Sequence, residues 1–298
     1  MAALSSRLHG LISDKTTGPL THVTGTVSPA NAAVTYLWYS TLLLPIVFPI
    51  YKFILNDYHS FLSLGPGGTP STFSGYLWVT FLKIFFARSD IYVPPSLTPY
   101  EHPARGYLKE IPHRRGPRPV VAGIAPHRQT TQMGCDEMQN AVATGIKDLA
   151  RTNSELLSTG ISCFEKHNLA LFFNPQAVEI PSPAPSFIEL ATQEEAHALS
   201  NELDPVRAAC SLPAEICHLH TTDSSMHLTL HPSDAAMVIS HGWGERHPLA
   251  GRGPWVPRGF VMVYAPRGKA EVEILMKIVR AGAWWVGGCI LDDGNNLL

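Results

Sequence analysis

EICHLHTTDSSMHLTLHPSDAAMVISHGWGERHPLAG, residues 215 to 251, holds six of the fourteen histidines of this 298-residue chain. Histidine titrates near neutrality, so grouped imidazoles can move protons, hold a metal or bind an anion. The pattern around them is that of two strands, Ile216 to His220 and Met226 to His231, joined by the polar turn Thr222-Asp223-Ser224-Ser225. Side chains alternate along a strand, so His218 and His220 share one face, and His227, Thr229 and His231 share one. A four-residue hairpin loop pairs Thr221 with Met226 and sets His220 opposite His227. All four imidazoles then face one way, and Leu219, Met226, Leu228 and Leu230 face the other, toward a core. A one-residue slip would part the two histidine pairs.

Ser233 is placed to cap a short helix that runs through Ser240 and stops before Gly242. The chain then turns through Gly242-Trp243-Gly244 and presents Arg246 and His247. Trp243 offers a flat stacking surface, and Arg246 can grip an oxyanion with two parallel bonds. The structural alternative is a turn in which Arg246 pairs with Glu245 or Glu215.

Outside this stretch, Met138, Val142, Ile146 and Leu149 recur at helical spacing, which predicts a helix over 136–157. Residues 170–173 and 259–265 read as strands, and 269–285 as a closing helix. PSPAP at 181–185 is a surface loop, and Thr192-x-x-Glu195 opens a helix through Leu203. Paired strands with helices gathered around them give an α+β fold: a small antiparallel sheet with packed helices. There is no G-x-x-x-x-G-K-[ST], no G-x-G-x-x-G and no G-x-S-x-G, so nucleotide-loop and serine-hydrolase chemistry lose their usual support.

The net charge of −2 exerts no general pull toward nucleic acid, although a basic zone (101–128) and an acidic one (174–215) are separated along the chain. Five scattered cysteines with no C-x-x-C pair argue for reduced thiols in place of a disulfide scaffold or thiolate zinc site, with Cys217 a small buried hydrophobe.

Near the N-terminus, AAVTYLWYSTLLLPIVFPIYKFIL (32–55) carries no charge before Lys52 and is long enough for a hydrocarbon core of about 30 Å. The expectation is one N-terminal transmembrane helix preceding the α+β domain, with a buried helix of a soluble core as the alternative. The division that follows is a tail (1–31), the membrane helix (32–55), a membrane-proximal region (56–130) and a catalytic domain (131–298). The apolar run 75–87 is too short to span and would lie in the interface or pack under the domain; basic residues from Arg105 to Arg118 could rest on lipid headgroups. Charge bias places the C-terminal bulk on the cytoplasmic side of a single-pass membrane protein. The Leu4, Leu8, Leu11, Ile12 stripe beside Arg7 and Lys15 leaves mitochondrial targeting as a second possibility.

The residues of the histidine stretch match a known pattern. Glu215-Ile216-x-His218-x-His220, His227-Leu228, Gly242-Trp243-Gly244-x-Arg246-His247-Pro248-Leu249-Ala250-Gly251 and Tyr264-Ala265-Pro266-Arg267 resemble the fungal luciferase domain family. Upstream, Asp57-Tyr58-x-x-Phe61-Leu62-x-x-Gly65-Pro66, Phe73-x-Gly75-Tyr76, Gly116-x-Arg118-Pro119, Arg128-Gln129-x-Thr131-Gln132 and Phe164-Glu165-x-His167 extend the resemblance over most of the chain. It implies a membrane-anchored oxygenase that oxidises 3-hydroxyhispidin, a catechol-bearing hydroxypyrone, with O2; a cyclic peroxide loses CO2 and leaves an excited product. No organic cofactor is implied. An ionised enol is electron-rich enough to meet O2, so the protein must supply a base, an oxyanion partner and a dry pocket. His218, His220 or His227 is then the base, Arg246 with His247 the enolate or peroxide clamp, and Trp243, Glu215, Tyr264 and Arg267 the substrate contacts. His231 and His241 depart from the pattern, and 175–212 is expanded, which leaves the substrate a phenolic or polyketide of unspecified identity.

Two other readings stand beside this one. His218, His220 and His227 could be a three-histidine metal site in an oxygenase or hydrolase, with His247 or Glu215 completing it. The chain could also be a membrane-anchored binder of aromatic ligands with no turnover.

Overall fold

A computed structural model describes residues 29–97, 105–174, 215–252 and 256–287. The expected leader stripe, the 181–185 loop and the 192–203 helix lie outside the described residues. The chain divides into two units, Met1–Leu55 and Asn56–Leu298.

Helix α1 (Pro29–Ser63) covers the apolar run and continues beyond it. The transmembrane expectation is overturned, because no helix among the described residues is long and apolar enough to cross a membrane. The physical reason is in the composition of the run. Tyr, Trp, Ser and Thr dilute its first half, Pro45 and Pro49 and then Lys52 interrupt its second, and Asn56 and Asp57 follow. The expected single-pass membrane localisation falls with it, and the fold class reduces to α+β without a transmembrane helix.

In the second unit, α2 (Phe73–Phe85) starts where Thr72 Oγ1 accepts the Gly75 N–H at 3.2 Å, an ordinary N-cap. Its Tyr76, Val79 and Leu82 lie at helical spacing and pack with Phe61, Ile124 and Leu249 in a small apolar cluster. The short apolar run thus packs under the domain.

The main sheet has six strands: β3 (Leu157–Ile161), β4 (Leu169–Phe173), β5 (Glu215–Leu219), β6 (Met226–Thr229), β7 (Gly244–Arg246) and β8 (Phe260–Val263). Their order is β3-β4-β5-β6-β8-β7, antiparallel throughout. One face packs on α3 (Asp136–Thr152) and α5 (Lys269–Val286), where Val142, Ile146, Leu275, Ile278 and Val279 meet Leu219, Met226, Leu228, Val261 and Val263. Each fully buried Leu, Ile or Val there contributes about 1.5–3 kcal/mol. The helix expected over 136–157 stops at Thr152, and Leu157 instead opens β3.

Two further pieces cover the histidine side. The ribbon of β1 (Val121–Gly123) and β2 (His127–Gln129) supplies His127 and Gln129, and α4 (Pro232–Ser240) links β6 to β7. The hairpin register differs from the expectation by two residues: His218 faces His227 and Leu219 faces Met226. The loop is longer because Asp223 organises it, accepting the Ser225 N–H at 3.2 Å, while Ser224 N–H bonds back to His220 O at 3.0 Å. A shift of two preserves side-chain parity, so the histidine and core faces are as expected. His231, expected on the histidine face, leaves the sheet. Pro232 begins α4, and His231 Nδ1, in place of Ser233, caps it by accepting the Ser233 N–H at 3.1 Å.

Cys135 and Cys217 are free thiols, but Cys163 is disulfide-bonded, which corrects the expectation that all five are reduced. Cys217 sits in the core, and burial pushes its thiol up, so it is inert packing.

Candidate functional site

His218 and His220 from β5 and the residue after it, and His227 from β6, stand side by side on one sheet face, and all three are buried. His220 Nε2 is 3.1 Å from His227 Nδ1, and His218 Nε2 is 3.3 Å from that same atom. Each ring is held from behind by a group that directs its other nitrogen.

Behind His218 is Glu215, whose Oε1 lies 2.6 Å from Nδ1. Strict alternation would put Glu215 on the opposite side from His218. A bulge in β5 makes Glu215 and Cys217 face the adjacent residues Phe172 and Leu171, and so returns the carboxylate to the histidine face. Ser162 Oγ and the Cys163 N–H donate to the same carboxylate at 2.9 and 2.7 Å.

Behind His220 is Ser225 Oγ, 2.9 Å from Nδ1, which donates its own proton to Asp223 Oδ2 at 2.8 Å. Asp223 also accepts the Gln129 N–H at 2.5 Å. Burial alone would raise the Asp223 pKa; His220 and these bonds outweigh it and hold the carboxyl below its usual range. Burial drives His220 down to about 4, and burial with the neighbouring imidazoles drives His227 well below its ordinary value, so both rings are neutral.

Behind His227 is a residue that sequence reading missed. His127 Nδ1 lies 3.1 Å from His227 Nε2, and His127 Nε2 lies 3.5 Å from Glu245 Oε1. Tyr264 donates its hydroxyl to Glu245 Oε2 at 2.8 Å, and burial raises the Tyr264 pKa, keeping it a donor. The only signal for His127 was its place beside the Arg128-Gln129-x-Thr131-Gln132 match.

The arrangement fixes where two of the protons are. A carboxylate only accepts, so His218 Nδ1 carries hydrogen. Ser225 spends its one hydrogen on Asp223, so His220 Nδ1 carries hydrogen. His127 Nε2 stands near the Glu245 carboxylate, and His127 Nδ1 and His227 Nε2 share the hydrogen bond between them. The atoms left facing one another are His218 Nε2, His220 Nε2 and His227 Nδ1.

His247 is adjacent, its ring 4.9 Å from that of His127 and 5.1 Å from that of His227. Its Nδ1 accepts the Leu249 N–H at 3.1 Å and its Nε2 donates to Ile124 O at 3.0 Å, so neither nitrogen is available for a ligand. Burial keeps it neutral. Among the described residues, two groups could hold a metal by proximity, His218-His220-His227 and His127-His227-His247. The occupied nitrogens of His247 favour the first.

A family model for the luciferase domain matches residues 213–282, which contain the whole histidine hairpin. Luciferases of Armillaria ostoyae, Armillaria mellea and Neonothopanus nambi are each 32% identical to this chain, over 79% of it and 81% of their own length. The chain belongs to the fungal luciferase family. No solved structure matches it.

Within this luciferase-family chain, Glu215 joins the imidazoles directly, and Tyr264 joins them through Glu245 and His127. Three other expected site residues stand elsewhere. Arg246 pairs with Val261, a core-face residue, and the charges around it are Arg88, Asp90, Arg258 and Arg252. Burial and the Arg88 charge lower its pKa to about 10, and its Nε has no hydrogen-bond partner. Trp243 is a core residue whose Nε1 donates to Pro112 O at 2.6 Å. Arg267 is engaged by Glu271 and by Arg115 O. A buried ion pair that sequence reading missed, Arg128 with Glu165, lies behind the cluster and is completed by Asn168 and by Pro66 O.

Proposed function

We propose that this chain oxidises an electron-rich hydroxypyrone or related polyphenol of the 3-hydroxyhispidin kind with O2, releasing CO2, after the acidic enol of the substrate is ionised at the His218-His220-His227 centre. Membership of the luciferase family supports luciferase-like function, and one observation carries the finer reading: three buried imidazoles bring ring nitrogens together within 4.8 Å. Such a centre is short of positive charge. Burial makes His220 and His227 weak bases, so only an acidic enol can pass its proton to the centre, and the charge then formed must be stabilised from behind the rings. Glu215 and the Asp223-Ser225 pair, bonded to the far nitrogens, stabilise that charge as an orienting carboxylate does in a hydrolytic triad. The atoms balance: O2 adds to the ionised ring as a cyclic peroxide, the O–O bond breaks as one ring carbon leaves as CO2, and the remaining oxygens stay in the product. No organic cofactor takes part in this scheme. Exclusion of water by the ribbon and by Phe260, stacked on His227 at 5.1 Å between centroids, protects a reactive intermediate.

The test is oxygen uptake, CO2 release and light emission by the purified full chain supplied with 3-hydroxyhispidin and simpler polyphenols. Uptake matched by CO2 is the expected result. A folded His227→Ala protein that turns over at the normal rate would sink the proposal.

A further inference from the structure

We propose that His218 Nε2, His220 Nε2 and His227 Nδ1 are the three protein ligands of a divalent first-row transition metal ion. For its role in turnover this rests on the oxygenation proposed above; for binding it stands on geometry alone.

The three ring nitrogens converge in a buried site, His227 Nδ1 lying 3.1 Å from His220 Nε2 and 3.3 Å from His218 Nε2, with all three within 4.8 Å of one another. Two metal–nitrogen bonds of about 2.0–2.1 Å at the tetrahedral angle place their donor atoms about 3.3 Å apart, and octahedral angles bring them to about 3.0 Å. The observed separations fall between these values. Metal-bound histidines almost always donate their other N–H to a carboxylate, carbonyl or equivalent group, which fixes the tautomer and raises the basicity of the ligand. Here each outer nitrogen has a partner: His218 Nδ1 bonds to Glu215, His220 Nδ1 to Ser225 and through it Asp223, and His227 Nε2 to His127, beside which Glu245 stands. A proton shared among the rings needs no such arrangement behind every one of them.

Neutral nitrogen donors suit Fe(II), Co(II), Cu(II) and Zn(II) and disfavour Mg and Ca, which take oxygen. Three ligands leave coordination positions open. With the ion in place its charge would take over the role of a protonated imidazole: an ionised enol oxygen bound there would be stabilised by the ion, with the enol proton released to solvent and no change of metal oxidation state required.

The full chain is purified without chelators for elemental analysis, then stripped and titrated with Co(II) while visible absorption is followed. Stoichiometric metal and intense cobalt bands are expected. They should vanish in His218→Ala, His220→Ala and His227→Ala and persist when the exposed His113 is replaced by Ala. Glu215→Gln keeps the shape of the side chain and weakens its hold on His218, so cobalt affinity should fall by about 10–100-fold. Natively folded protein that takes up no Co(II), or Glu215→Gln with unchanged affinity, overturns the site even if the alanine variants fail to fold. Oxygen uptake by metal-free protein overturns the ion's part in turnover and leaves the oxygenation standing. Tight metal binding without oxygen uptake on any substrate tried leaves the site and overturns the oxygenation.

Discussion

His127 Nδ1 lies 3.1 Å from Nε2 of His227, a residue one hundred positions away in the chain. Through that contact His127, with Glu245 on β7 3.5 Å behind it, holds the outer nitrogen of His227 and orients its ring. Replacing His127 by Ala removes that hold. Oxygen uptake should fall by about 10–100-fold. An oxygen-electrode assay on the folded variant checks this, and unchanged uptake would remove His127 from the site.

Neighbours on β6 should separate stability from activity. Leu228 is fully buried on the helix-covered face, and His227 faces the ribbon. Leu228→Ala should cost about 2–5 kcal/mol in denaturant unfolding while sparing turnover at low temperature. His227→Ala should abolish turnover with a much smaller loss of stability. Matching losses in both assays for both variants would contradict the two-faced strand.

Gly259 precedes the strand that lays Phe260 against His227. A Cβ there would sit 2.0 Å from Leu230 O, a backbone atom that cannot yield cheaply. Gly259→Ala should cost about 1–3 kcal/mol, read as a lowered melting temperature. Nothing lies within 4 Å of a Cβ at Gly268, so Gly268→Ala is the matched control, with an expected cost below about 1 kcal/mol from the altered N-cap.

Acid should loosen the domain through Glu165. Burial tends to raise its pKa, but the bonds from Arg128 and the Arg128 charge outweigh burial and hold it below the ordinary glutamate value of 4.5. The folded state therefore binds this proton less readily than the unfolded chain. The pair's contribution is present above the unfolded value and is lost as pH falls through the lower folded one. Wild type should out-melt Glu165→Gln at neutral pH, and the gap should narrow as the pH drops below 4.5. A gap that widens with acid would reverse the assigned sign.

Much of this was legible in one dimension because period-two alternation is a local property. The pattern HLH then MHLTL is enough to separate an imidazole face from an aliphatic one, and it survived a hairpin register that differed by two residues. Contiguous motifs such as GWGERHPLAG likewise carried the family. The transmembrane expectation failed for the opposite reason. Length and absence of charge were weighed above the aromatic, hydroxyl and proline residues that dilute the run. Arg246 and Trp243 drew attention by residue type, but edge-strand parity and core packing set where their side chains go.

What the sequence by itself determined is the α+β class, the face shared by His218, His220 and His227, and membership in the luciferase family. Each of these is written in neighbouring residues and their spacing. Only the tertiary structure decided what stands behind each imidazole. The β5 bulge turns Glu215 onto the histidine face, the turn brings Asp223 and Ser225 to His220, and the β1-β2 ribbon delivers His127 from a hundred residues away. Proton positions in a buried cluster depend on which group each second nitrogen meets. That meeting is a matter of packing between distant segments, which no local pattern records.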